Sequence, residues 1–218
     1  TLTAPVFIAP FFFLSALGGE IADRFDKAYV AARIKLAEIP IAALAAIGFY
    51  LHSVPVLFVT LGLFGMVAAL FGPVKYGILP EKLQTAELPA GNALVEGATF
   101  LAILIGTIAG GIAVAEAKSP EFVVAVILAL AVVSWTFARA IPAAGPAAPS
   151  LVITRNPWTS TVALLREIRG DQRLWGGAHI VSWFWLVGFV ALSLLPAMVK
   201  DHIGGTEGVV TPHLVVFA

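Results

Sequence analysis

Apolar residues run through this chain in long, almost unbroken blocks, separated by short segments that hold nearly all of its polar side chains. Six blocks, at roughly 4–22, 36–52, 55–74, 92–114, 121–141 and 174–199, approach or exceed 20 residues, and a further one starts near Val209. About 20 apolar residues wound as a helix cross ~30 Å of hydrocarbon. Strands of a membrane barrel would be about 10 residues long with alternating polarity, so these blocks predict helices. The implied fold class is all-α, a polytopic membrane helical bundle.

Basic residues then separate the connections into two classes. The first holds Arg24, Lys27, Arg33 and Lys35, the third Lys75 and Lys82, and the fifth Arg139, Arg155, Arg166, Arg169 and Arg173. Of the 13 Lys and Arg, only Lys118 and Lys200 fall in the even connections. Positive charge accumulates on the cytoplasmic side of short loops, so the odd connections are expected inside. One missed span would scramble that asymmetry.

The long connection at 142–173 divides the chain into an expected helical part at 1–141 and the start of a second at 174–218. Pro142-Ala143-Ala144-Gly145-Pro146-Ala147-Ala148-Pro149 reads as an irregular linker. Beyond Pro157, Thr159 or Ser160 is placed to cap a short helix in which Val162, Leu165 and Ile168 share a face, with Arg166 and Arg169 largely off it. Such a helix either lies on the cytoplasmic membrane surface or packs on protein.

Composition strengthens the membrane reading. The 218 residues are 60% hydrophobic and 12% charged, against roughly 25% charged in ordinary globular chains. Zero formal net charge gives no field for nucleic acid. Without cysteine, disulfides, thiolate metal sites and cysteine nucleophiles are excluded. His52, His179, His202 and His213 show no metal-ligand spacing, Ser, His and Asp form no catalytic constellation, and no phosphate-binding glycine loop occurs. Neither enzyme chemistry nor a cofactor is expected. The chain opens on Thr1-Leu2-Thr3-Ala4-Pro5 and closes within Leu214-Val215-Val216-Phe217-Ala218, and is read as a piece of a longer polypeptide.

One connection is more than a turn. Gly18-Gly19-Glu20-Ile21-Ala22-Asp23-Arg24-Phe25-Asp26-Lys27 directly follows the first apolar block. Glycine permits close helix approach, and the acids and bases can form a charge network at helix ends; a solvated turn that only sets topology is the plainer reading. The arrangement Gly-x-Ile-Ala-Asp-Arg-x-Asp-Lys resembles the loop between the second and third helices of major facilitator transporters. That resemblance implies a partial major facilitator fold, about helices 2 to 7 plus the start of 8, with 142–173 linking the two halves. It also implies that Gly19, Asp23, Arg24 and Lys27 belong to a cytoplasmic gate.

A narrower likeness follows. Phe71-Gly72-Pro73-Val74-Lys75-Tyr76-Gly77-Ile78-Leu79-Pro80-Glu81 and Gly91-Asn92-Ala93-Leu94-Val95-Glu96-Gly97-Ala98-Thr99 resemble the lysophospholipid transporter branch, as does Gly106-Thr107-Ile108-Ala109-Gly110-Gly111. That branch implies a flippase carrying lysophospholipids such as lysophosphatidylethanolamine across the bacterial inner membrane for reacylation. Its implied partner is a cytoplasmic acyltransferase or acyl-ACP synthetase, encoded nearby or fused. A proton-coupled drug or solute exporter, or a membrane scaffold docking an acyltransferase, are the alternatives.

Candidate pathway residues are Asn92, Glu96, Lys75, Tyr76 and Trp183. Asn92 and Glu96 stand one helical turn apart, suited to an ammonium or a coupling cation if they face the bundle interior. In the first turn of the helix, the same Glu96 would be favoured by the helix dipole alone. Lys75 and Tyr76 suit a phosphate, or Lys75 is a positive-inside anchor. Gly106, Gly110 and Gly111 have the spacing of a helix-packing stripe. Trp183 or Trp185 can line an acyl-chain path, and Trp175 suits the interfacial belt.

Overall fold

A computed structural model describes residues 3–115, 120–154 and 156–202. The apolar block near Val209, and with it Lys118, Arg155 and His213, lies outside the described residues. Eight helices form among the described residues: α1 (Thr3–Arg24), α2 (Lys27–Tyr50), α3 (Val54–Gly77), α4 (Leu79–Lys82), α5 (Leu88–Ala115), α6 (Pro120–Arg139), α7 (Pro157–Gly170) and α8 (Gln172–His202). The segments Pro5–Arg24, Val54–Lys82, Leu88–Ala113 and Glu121–Arg139 are each long and apolar enough to cross a membrane.

α2 begins nine residues before the apolar block that announced it. Lys27, Arg33, Lys35 and Glu38 interrupt the apolar pattern but not the helix, because its N-terminus is capped and Lys27, Lys35 and Glu38 are ion-paired. Asp26 caps the N-terminus, its Oδ1 accepting from the N–H groups of Ala28 (2.9 Å) and Tyr29 (3.1 Å). Lys35 pairs with Glu38 at 2.7 Å and lies 4.2 Å from the Phe71 ring centroid. Helix α7 begins at Pro157, with Asn156 Oδ1 accepting from Trp158 N at 3.1 Å. The cap is therefore Asn156 and not Thr159 or Ser160, since proline at the first position needs no donor partner.

The chain folds as two compact units. Unit 1 comprises Thr1–Asn92 and Ser119–Leu164; unit 2 comprises Ala93–Lys118 and Leu165–Ala218. In unit 1, α3 is the hub: α1 and α2 both pack along it, and α2 also packs on α6. α1 approaches α3 closely. A Cβ on Gly65 would overlap the Phe7 carbonyl, and one on Gly18 would stand 3.0 Å from the Leu70 carbonyl oxygen. Ala22, Val30, Ala31 and Val74 form a buried cluster where the three helices end, flanked by Ile21, Ile34, Phe71, Ile78 and Ile141.

The first turn of α7 lies beside the middle of α1. Trp158 packs 6.1 Å from Phe13, Thr161 Oγ1 stands 3.3 Å from the Phe12 carbonyl oxygen, and Ser160 is buried. Contact with protein, the second of the two sequence readings, thus holds for that turn. In unit 2, Phe100 of α5 stacks on Trp185 of α8 at 5.7 Å, and Trp175 meets His179 edge-on at 4.5 Å.

Gly65→Val should push α1 off α3 and destabilise the full-length protein by about 1–3 kcal/mol. Thermal unfolding in detergent should show a lowered midpoint, whereas Gly19→Ala, whose added Cβ meets nothing within 4 Å, should unfold like the parent.

Candidate functional site: a charged end stapled by the linker

Within unit 1, the α1–α2 turn, α4 and the linker as far as Thr154 meet at one end. Lys27, at the start of α2, is nearly inaccessible, with 6% of its side chain exposed. Its ammonium stands 2.6 Å from Glu81 Oε1 on α4 and 3.5 Å from Asp23 Oδ1 on α1. An ammonium removed from water is tolerable only when paired. Glu81 thereby ties the third connection to the first, across the Ala22–Val30–Ala31–Val74 cluster.

The linker supplies the second set of ties. Glu20 Oε2 accepts from Thr154 N at 2.7 Å, Arg24 Nη1 donates to Leu151 O at 2.6 Å, and Ala148 N donates to Asp23 O at 2.7 Å. Asp26 Oδ2 accepts from Ala144 N at 2.9 Å and from Gly145 N. Lys82 Nζ reaches Ala143 O at 3.3 Å. Gly145 has φ +86°, a conformation that side-chain-bearing residues avoid. It turns two successive N–H groups toward one carboxylate oxygen, a backbone concavity for an anion.

Asp26 therefore does two jobs with two oxygens. Burial pushes its carboxyl pKa up, but N–H donors from Gly145, Tyr29, Ala144 and Ala28 outweigh that, leaving it below the ordinary 3.8. A depressed folded-state pKa means the stabilisation is complete above the ordinary carboxylate value and is lost as pH falls through the folded one.

The sequence-derived gate residues separate on this geometry. Lys27 is buried and ion-paired, Arg24 is committed to the linker, and the Asp23 carboxylate is 55% exposed. The close approach expected of the glycine pair falls to Gly18. Glu20, Asp26 and Glu81 carry as many contacts as the residues singled out by motif. The capping role of Asp26 emerges only with the start of α2 at Lys27, and nothing local marks Glu81 as the partner of Lys27, 54 residues away.

Of the pathway candidates, Lys75 lies with its ammonium 4.5 Å from the Tyr76 ring centroid at the end of α3. Asn92 and Glu96 sit in the first turns of α5, Asn92 exposed and Glu96 half-buried. Trp183 on α8 is 63% exposed. A Cβ on Gly106 or Gly110 would meet nothing within 4 Å among the described residues; Gly111 lies on the same helix.

Among the described residues, four apolar helices long enough to cross a bilayer, joined by short connections, define a multi-pass membrane protein. The chain belongs to the Major Facilitator Superfamily, matched over residues 1–217. Among curated relatives, it is 34% identical over 200 residues to the lysophospholipid transporter LplT of Serratia proteamaculans, covering 86% of this chain and 48% of that protein. The LplT of Yersinia enterocolitica is 32% identical over 214 residues, covering 95% and 50%, and that of Enterobacter sp. 29% over 216 residues, covering 96% and 51%. The chain thus spans about half the length of the curated relatives it matches.

Glu81→Ala should leave the buried Lys27 ammonium without its nearest carboxylate and cost about 3–5 kcal/mol, read as a lowered unfolding midpoint. Lys27→Met with Glu81→Leu should restore most of it. Asp26→Ala should free the linker, raising its proteolysis rate between residues 142 and 156 at neutral pH. In the parent, linker protection should stay constant with falling pH until below about 3.8.

Proposed function

We propose that this chain is part of a secondary transporter that moves lysophospholipids, such as lysophosphatidylethanolamine, across the bacterial inner membrane by alternating access. The observation that carries the reading is the set of relatives, 29–34% identical over most of this chain, named lysophospholipid transporters. Superfamily membership supports the transport class, and the resemblance of the segments around Lys75–Tyr76 and Asn92–Glu96 to the lysophospholipid transporter branch supports the cargo. A lysophospholipid delivered inside bears a free hydroxyl, so a cytoplasmic acyltransferase or acyl-ACP synthetase is the fitting partner.

In this reading the charged end faces the cytoplasm and acts as the gate. Asp23 is the member exposed enough to exchange partners as the protein rocks. Lys27 and Arg24 hold the loop in shape around it, and Gly19 leaves room beside it. Lys75, Tyr76, Asn92, Glu96 and Trp183 are assigned to the lipid pathway, Asn92 and Glu96 as groups suited to an ammonium and Lys75 and Tyr76 as groups suited to a phosphate. Gly106, Gly110 and Gly111 present a smooth face of α5 for helices of the remaining half.

Spheroplasts carrying the full-length protein should accumulate labelled lysophosphatidylethanolamine, and Asp23→Asn should slow initial uptake about fivefold or more, the lower end of ordinary conformational coupling. No uptake with intact acyltransferase activity would point instead to a scaffold. Resistance to several unrelated toxic compounds would point to an exporter.

A further inference from the structure

α1 and α2 are joined by the short Phe25–Asp26 turn, yet beyond it they scarcely touch, because each packs on α3. A groove of about 420 Å³ opens between them. Ile21 of α1, Val30 and Ile34 of α2, and Val67 and Leu70 of α3 line it. Tyr29 and Arg33 line it too and are exposed. That volume lies within the range of small-ligand pockets, roughly 300–1,000 Å³.

Arg33 is the basic side chain that lines this groove. Its guanidinium stands 5.0 Å from the Tyr29 ring centroid. Among the described residues, no Asp or Glu lies within ion-pairing distance of it. The neighbouring acids are engaged: Glu20 with Thr154, Asp26 with the linker, Glu81 with Lys27, and Glu38 with Lys35. Arg33 is six residues into α2, about 9 Å along the helix from its first residue. It is flanked there by α1 and α3, both apolar enough to span a bilayer. A guanidinium beside an apolar groove between such helices gains by reaching an anion.

We propose that the groove between α1 and α2 binds a diacyl phospholipid of the leaflet at the basic end, its phosphate on Arg33 and one acyl chain along the apolar lining. The planar guanidinium can grip two phosphate oxygens at once, and the leaflet supplies that anion at the right depth. Tyr29 holds the guanidinium from one side by its ring face. The site lies wholly within unit 1. It depends on the membrane-spanning reading and not on the identity of the transported lipid.

The test uses full-length protein reconstituted with phosphatidylglycerol and, separately, with dioleoylglycerol, which lacks phosphate; retained lipid is counted by native mass spectrometry. One phosphatidylglycerol per chain should be retained, and dioleoylglycerol should not. Arg33→Gln should reduce retention about tenfold, the loss of one charge-assisted contact. Arg33→Lys should keep part of it, Val67→Trp should abolish it by filling the groove, and Arg139→Gln should leave it unchanged. Retention by Arg33→Gln equal to the parent, or equal retention of dioleoylglycerol, would overturn the site. So would failure of Ile34→Cys, in an otherwise cysteine-free protein, to react with a lipid-soluble maleimide after delipidation, because another helix would then cover the groove. Displacement by lysophosphatidylethanolamine at equal concentration would reassign the groove to the cargo. Uptake measured in parallel keeps the two readings apart, since loss of retained lipid with normal uptake supports this site and leaves the transport reading standing.

Discussion

The Lys27 side chain is nearly inaccessible at the foot of α2, and much of the basic end is arranged around its neutralisation by Glu81. A charge in that position has no water to fall back on, so its partner must be delivered by the fold. Delivery requires α3 to end in line with the start of α2 and α4 to turn back beneath it. The same requirement seats Val74 against Ala22, Val30 and Ala31. Burial and ion pairing are coupled here: the apolar cluster dries the ammonium, and the paired ammonium lets the cluster close.

Around that centre, the linker behaves as part of the bundle and not as a tether. A Pro/Ala segment has no side chains with which to grip, so it is held through its backbone. Its N–H and C=O groups meet Glu20, Arg24 and Asp26 on α1 and the α1–α2 turn. Asp26 shows the economy of the arrangement, one oxygen capping a helix and the other filling a backbone concavity built on Gly145. Because its pKa is depressed, the attachment is insensitive to pH across the physiological range. The Asp23 carboxylate, three residues before Asp26, is 55% exposed and meets Lys27 at 3.5 Å.

The packing order in unit 1 explains where space remains. Since α3 is the common neighbour of α1 and α2, close contact along α3 at Gly18 and Gly65 pulls α1 away from α2. The resulting groove exposes apolar surface and one cation together, which in a bilayer is the signature of a surface completed by lipid.

The existence, type and approximate length of the apolar helices were legible from hydrophobic run length, because hydrocarbon admits only backbone that satisfies itself. The motif spanning the end of α1 and the α1–α2 turn pointed to the superfamily. The start of α2 was missed because a helix capped by Asp26 continues through charged residues, among them Lys27, whose nearest carboxylate lies 54 residues away. The pairing of Lys27 with Glu81, the stapling of the linker onto Glu20, Arg24 and Asp26, and the isolation of Arg33 were decided by tertiary structure alone. Each depends on which helices share α3 as a neighbour, and composition and periodicity carry no term for that.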